Sequence, residues 1–263
     1  MTIDLIYQLN LQGMRVFSTS DVYDLSISLG ISRNYVTNLL SNLAQKRAIH
    51  HIVKGKYALD NNLLSGQPLH EFEIASSLSN NGAIAYISAL AFHNLTDQIP
   101  SAVYSMSFSL VGNSNTHVKH YVALGGKYII IKTSSKNHWG IETAFIDEIP
   151  FYITNLERTL LDGLERPEYF MGIREVLSAF TIAINRDKID VEKICKYALD
   201  HGTISLSKRL GFILTKIMQE KGEPAIDAVK ELQKIPSRVY QKLDILGHRK
   251  GKYHKEWMII ENI

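Results

Sequence analysis

The stretch from Ser18 to Leu59 constrains this chain more than any other. Ser18 is placed to cap a helix, and Asp21, three residues on, suits the positive end of the helix dipole. Val22, Leu25 and Leu29 follow at helical spacing and predict one buried face. Gly30 stops that helix, because glycine enters the left-handed conformation past a helix end without steric cost. Ser32 then caps a second helix whose Val36, Leu39, Leu40 and Leu43 form an i, i+3, i+4, i+7 stripe. Two such helices joined by a tight turn make a helix-turn-helix. Residues 48–53 and 56–59 read as strands joined by Lys54-Gly55, a β-hairpin wing with a lysine on each side of its tip. The pattern predicts a winged helix-turn-helix.

Arg33, Asn34, Thr37, Asn38 and Asn42 fall on the side of the second helix opposite the leucines. Arg matches the edge of guanine and Asn that of adenine, so Arg33, Asn34, Thr37 and Asn38 are the expected base readers in a major groove. Between residues 31 and 59 there are five Lys/Arg and no Asp or Glu, a local charge of +5 against +3 for the whole chain. Lys46, Arg47, Lys54 and Lys56, with Ser32 at the helix start, are the expected phosphate contacts. Double-stranded DNA is therefore the expected partner.

The remainder of the 263 residues bounds the class. A hydrophobic content of 45% with 21% charged residues fits a globular chain with a substantial core. The first residues lack the basic start and unbroken apolar run of a signal peptide, and no stretch approaches the roughly 18 apolar residues of a membrane span. A cytoplasmic protein with no membrane partner is expected. The single cysteine, Cys195, excludes an internal disulfide and a Cys-based zinc site, and its helical apolar setting predicts a buried core thiol.

In order along the chain, residues 4–11 predict a first helix ended by Gly13. The polar, turn-rich run from Asp60 to Pro68 suggests a domain boundary, giving a DNA-binding domain over 1–62 and a larger mixed domain over 69–263. Within the latter, helix is expected over 70–78, a strand over 83–87 and a short helix over 88–92 begun by Ser88. Residues 83–153 as a whole read as β-rich, with four or five strands between 103 and 149 and a hairpin at Gly125-Gly126. Residues 154–235 read as helical, opened by a Thr154/Glu157 capping box. The fold class expected is α+β.

Two segments of the second domain, AYISALAFHNLTDQIP (85–100) and YITNLERTLLDGLERPEYFMG (152–172), together with the winged helix, resemble the AbiE-type abortive-infection antitoxins. Proteins of that family are encoded beside a nucleotidyltransferase-like toxin in type IV toxin–antitoxin pairs. The resemblance runs from the winged helix to about residue 185. It implies a repressor that binds inverted repeats upstream of its own operon, and a second domain that counteracts the toxin without a stable complex. Neither enzyme activity nor a cofactor is expected of the chain.

Other constellations are weaker. Glu157, Arg158, Asp162, Glu165 and Arg166 crowd one helix, but the capping box and an Asp162/Arg166 i, i+4 pair would account for them. If they formed an acid site instead, the chain would be a nucleic-acid- or nucleotide-processing enzyme targeted by its winged helix. A ligand-responsive regulator is the other alternative. His93, His117, His120 and His138 lack the spacing and acidic companions of a metal site, so no metal is expected. Residues 236–263 form a basic end, and Lys242, Arg249, Lys250, Lys252 and Lys255, with Tyr240, Tyr253 and Trp257 interleaved, suggest a second nucleic-acid surface.

Overall fold

The computed structural model describes residues 2–63, 68–109 and 116–263. The fold is mixed α+β, with ten α-helices and twelve β-strands among the described residues. It divides into two compact units. One comprises Met1–Ile84, Ser101–Thr133 and Thr143–Tyr152; the other comprises Ala85–Pro100, Ser134–Glu142 and Ile153–Ile263. Residues 64–67 of the run from Asp60 to Pro68 and Leu110 and Val111 of an expected strand lie outside the described residues.

The first unit opens with α1 (Thr2–Leu11), β1 (Val16–Ser18), α2 (Thr19–Ser28), α3 (Arg33–Gln45), β2 (Ile49–Val53) and β3 (Lys56–Leu59). The start of α2 is a complete capping box: Asp21 N–H donates to Ser18 Oγ at 3.2 Å, and Ser18 N–H donates to Asp21 Oδ2 at 2.6 Å. Gly30 follows α2 with φ +63°. The α3 stripe of Val36, Leu39, Leu40 and Leu43 is buried in one cluster with Leu5, Leu9, Phe17, Val22 and Leu25. Each such side chain contributes about 1.5–3 kcal/mol by leaving water. β1, β3 and β2 form an antiparallel sheet in that order, with Phe17 opposite Tyr57 and His51 opposite Tyr57 on the other side. Three residues are too few to show an alternating pattern, so β1 has no signal in the sequence; its hydrogen bonds come from β3.

The same unit continues with α4 (Glu71–Leu78), β4 (Ala83–Ile84), β5 (Val103–Ser107), β6 (Val118–Ala123), β7 (Gly126–Lys132), β8 (Ile141–Ile146) and β9 (Ile149–Thr154). The six strands lie in the order β6-β7-β5-β4-β9-β8. β6 and β7 are an antiparallel hairpin around Leu124-Gly125, whereas β5 and β7 run parallel. α4 packs on β5 and β7 and is capped by His70, whose ring accepts from Phe72 N–H at 3.1 Å.

The second unit holds α5 (Tyr86–Phe92), α6 (Leu156–Glu165), α7 (Ile173–Asn185), α8 (Val191–His201), α9 (Ile204–Glu220) and α10 (Asp227–Lys234). It closes with a small sheet of β10 (Gln241–Lys242), β11 (Lys252–His254) and β12 (Ile259–Glu261), ordered β10-β12-β11. Ser88 is not the cap of α5. That position is Ala85, and Ser88 is buried a turn inside the helix. α6 packs against α5, α7, α8 and α9, and every residue from Glu157 to Leu164 is buried.

That burial rearranges the charges expected on α6. β9 extends to Thr154, so the first residue free to cap is Asn155, whose Oδ1 accepts Arg158 N–H at 2.9 Å. The Thr154/Glu157 box does not form. Glu157 instead takes Lys193 Nζ at 2.7 Å and Asp190 N–H at 3.2 Å. Asp162 pairs with Arg158, Nε to Oδ1 at 2.7 Å, rather than with Arg166. Arg166 lies past the helix end with φ −137°, and its guanidinium reaches Glu168 at 3.7 Å. Arg158 also donates to the carbonyls of Asn137 and Trp139 and lies 3.7 Å from the centre of the Trp139 ring. Cys195 is buried as its helical setting predicts, and burial pushes its thiol up to about 12.

Candidate nucleic-acid interface

The expected base readers all stand on one exposed side of α3. Arg33, Asn34, Thr37 and Asn38 are exposed, while the stripe beneath them is at most 1% exposed. The side chains of Asn34, Thr37 and Asn38 make no hydrogen bond among the described residues, so their donors and acceptors face solvent. Arg33 is steadied from below: its guanidinium lies 4.7 Å from the centre of the Tyr23 ring, on α2. Nothing in the local spacing pointed to that partner, ten residues back on the preceding helix. Tyr35, 41% exposed, adds an aromatic edge to the same end of α3, which the leucine spacing does not signal.

Ser32 holds the N-cap position of α3 but its side chain caps nothing; only its carbonyl is used, by Tyr35 N–H at 2.8 Å. The first turn of α3 carries no acid. Free backbone N–H groups, the positive end of the helix dipole and an idle hydroxyl make this end suited to an anion.

The cations divide. Lys46 and Arg47 follow α3 and are exposed, Arg47 in the left-handed region at φ +56°. Lys54 is exposed at the tip of the β2–β3 hairpin. The tip is fixed to the start of α2, where Thr19 N–H donates to Gly55 O at 2.9 Å. Lys56, expected to share the phosphates, turns inward. Its ammonium donates to Ser77 O and to Asn80 Oδ1, the latter at 2.8 Å, and burial lowers its pKa while Asp21 raises it. A lysine engaged in this way holds the hairpin on α4.

The acidic residues of α6 present no comparable surface. Asp162 is 7% exposed; burial pushes its carboxyl up to about 6, against the opposing pull of Arg158. His93 is half-buried, its Nε2–H donating to Thr154 O at 2.8 Å, and desolvation lowers its pKa. Among the described residues no group of three or more His, Cys, Asp or Glu is arranged to hold a metal ion, and no helix is long and apolar enough to cross a membrane.

No protein-family model matches the chain, and no curated protein matches it. Its fold is similar to that of a solved protein from Mycobacterium tuberculosis, RV2827C, with a TM-score of 0.64 over 97% of this chain and 89% of that one. Identity is 12%, so the likeness is one of fold.

Proposed function

We propose that this chain is a sequence-specific, DNA-binding transcriptional repressor built on an N-terminal winged helix-turn-helix. The observation that carries the reading is the α3 face: a buried leucine stripe below, and above it Arg33, Asn34, Thr37 and Asn38 with Asn and Thr groups unused by the protein. α3 enters the major groove, Arg33 taking guanine and Asn34 or Asn38 taking adenine, each good bidentate pair discriminating by about 1–3 kcal/mol. Ser32 and the α3 N-terminus, with Lys46, Arg47 and Lys54, hold phosphates. The hairpin of β2 and β3 serves as the wing.

The regulatory context rests on the resemblance of residues 85–100 and 152–172 to AbiE-type antitoxins. On that basis the operator is an inverted repeat upstream of the protein's own operon. The second role is then neutralisation of a nucleotidyltransferase-like toxin encoded alongside, without a stable complex.

The division of labour on α3 and the wing has a direct test in binding measured on operator and on scrambled duplex across a salt series. Asn38→Ala is expected to lose operator affinity and keep scrambled-duplex affinity. Lys54→Ala is expected to weaken both and to reduce the salt slope by about one. Equal losses on both duplexes for both variants would remove the assignment of readers and holders.

A further inference from the structure

The basic C-terminal residues do not make one continuous surface. Lys242 Nζ is held by Ile245 O at 2.5 Å and Gly247 O at 2.7 Å, and Arg249 donates to Tyr240 O at 2.8 Å, while Lys250, Lys252 and Lys255 stand exposed. The first unit holds a better-defined site. A cavity of about 460 Å³ lies where the start of β2 and the end of β3 meet the start of α4 and the β6–β7 turn. That is the size of a small-ligand pocket.

Three polar groups border it, each placed by the fold. Tyr128, on β7, is only 1% exposed, and α4 packs on its strand. Its hydroxyl runs back over Gly126, where a Cβ would stand 2.6 Å away, so only a glycine leaves the phenol this path to the cavity. The hydroxyl has no hydrogen-bond partner among the described residues, although the rest of the side chain is enclosed. Polar groups in such settings are ordinarily paired. Burial, with the Glu71 carboxylate adding to it, pushes the phenol up to about 12, so it keeps its proton at neutral pH. Glu71, in the first turn of α4, is exposed and its carboxylate has no partner among the described residues. His50, on β2, is oriented by Asp60: Nε2–H donates to Asp60 Oδ2 at 2.6 Å, which in the neutral ring leaves Nδ1 as an acceptor. Asp60 is itself saturated, its Oδ1 accepting Asn62 N–H at 2.9 Å and Asn62 Nδ2 at 2.8 Å. The His50 bond, and after it the Asn62 N–H, hold its carboxyl below the usual range.

Among the described residues the border carries two carboxylates, Asp60 and Glu71, and no Lys or Arg. Such a border repels an anion and attracts a cation. The cation is not a metal ion, because no three His, Cys, Asp or Glu of the described residues are arranged to hold one. A primary ammonium has three donors and no acceptor, and the cavity offers three acceptors to meet it: the Glu71 carboxylate, His50 Nδ1 and the Tyr128 oxygen. Leu59 and Ile74, both buried, give a carbon skeleton an apolar wall. We propose that this cavity binds a small organic cation by its primary ammonium group, held by Glu71, His50 and the Tyr128 hydroxyl. The site is separate from the α3 face and does not depend on the duplex-binding reading.

The test is calorimetric titration of the full chain with tyramine, with putrescine, and with 4-hydroxyphenylacetate, the carboxylate counterpart of tyramine. Binding of either amine with a Kd of about 1 mM or tighter, and exclusion of the carboxylate, is the expected result. Glu71→Gln is expected to weaken amine binding about tenfold or more, and Tyr128→Phe about two- to tenfold, while Asn38→Ala leaves it unchanged. Because the hydroxyl is unpaired, Tyr128→Phe without ligand is expected to melt at or above the wild-type temperature. A lowered melting temperature would show that the fold already uses the hydroxyl and would overturn the proposal. It is equally wrong if neither amine binds, if the carboxylate binds as well as tyramine, or if either variant keeps wild-type affinity.

Discussion

Single residues in this chain carry effects that neighbouring sequence does not announce. Asp162 is enclosed, and its folded pKa of about 6 stands above the ordinary 3.8. The protonated form is therefore the one the fold favours. Its contribution is fully present below about pH 4 and lost as pH rises through about 6. Stability measured by denaturant relative to Asp162→Asn is expected to shift in favour of the wild type, by on the order of 2–3 kcal/mol, between about pH 7 and pH 4. A constant difference would mean that Arg158 keeps the carboxylate ionised throughout. Gly211 is a steric matter. With the Trp257 ring already within 2.1 Å of where a Cβ would sit, Gly211→Ala must displace one of the two. A loss of about 1–3 kcal/mol, read as a lowered melting temperature, is the expected overpacking penalty. Melting at the wild-type temperature would show that Trp257 can move aside freely.

At the scale of elements, what the sequence reveals follows from how local the determining contacts are. α2 and α3 were legible because capping, the Gly30 stop and the leucine spacing all lie within a few residues of one another. The β2–β3 hairpin was legible from its turn. β1, β10 and β11 were not, since a two- or three-residue strand exists only through the partner it pairs with. The same limit explains the charges: Glu157 finds Lys193 and Arg158 finds Trp139, neither readable from helical spacing. It explains the β2–β3 hairpin as well, where Lys54 and Lys56 look equivalent in sequence and are not in the fold. Lys56→Met is accordingly expected to leave the salt slope of duplex binding unchanged, whereas Lys54→Ala lowers it by about one. Equal slopes for the two variants would put Lys56 back among the phosphate contacts.

For the whole molecule, the α+β class expected from the sequence is the fold observed, and it is shared with the RV2827C protein over nearly the full chain. The proposed regulatory role depends on the first unit presenting α3 to DNA; the proposed antitoxin role rests on the second unit and needs its own test. If the proposed nucleotidyltransferase-like toxin is encoded alongside, its expression alone is expected to arrest growth, and co-expression of this chain, including its Asn38→Ala form, to restore it. Rescue that fails with the wild-type chain would remove the antitoxin reading and leave the duplex-binding proposal to stand alone. The most direct measurement of the central claim is nuclease footprinting of the full chain on the DNA upstream of its own gene. Protection of an inverted repeat at concentrations that leave flanking DNA open, abolished by Asn34→Ala/Asn38→Ala in a folded protein, is the expected result. Protection without sequence preference, or a footprint unchanged in that double variant, would contradict the assignment of α3 as the element that reads DNA.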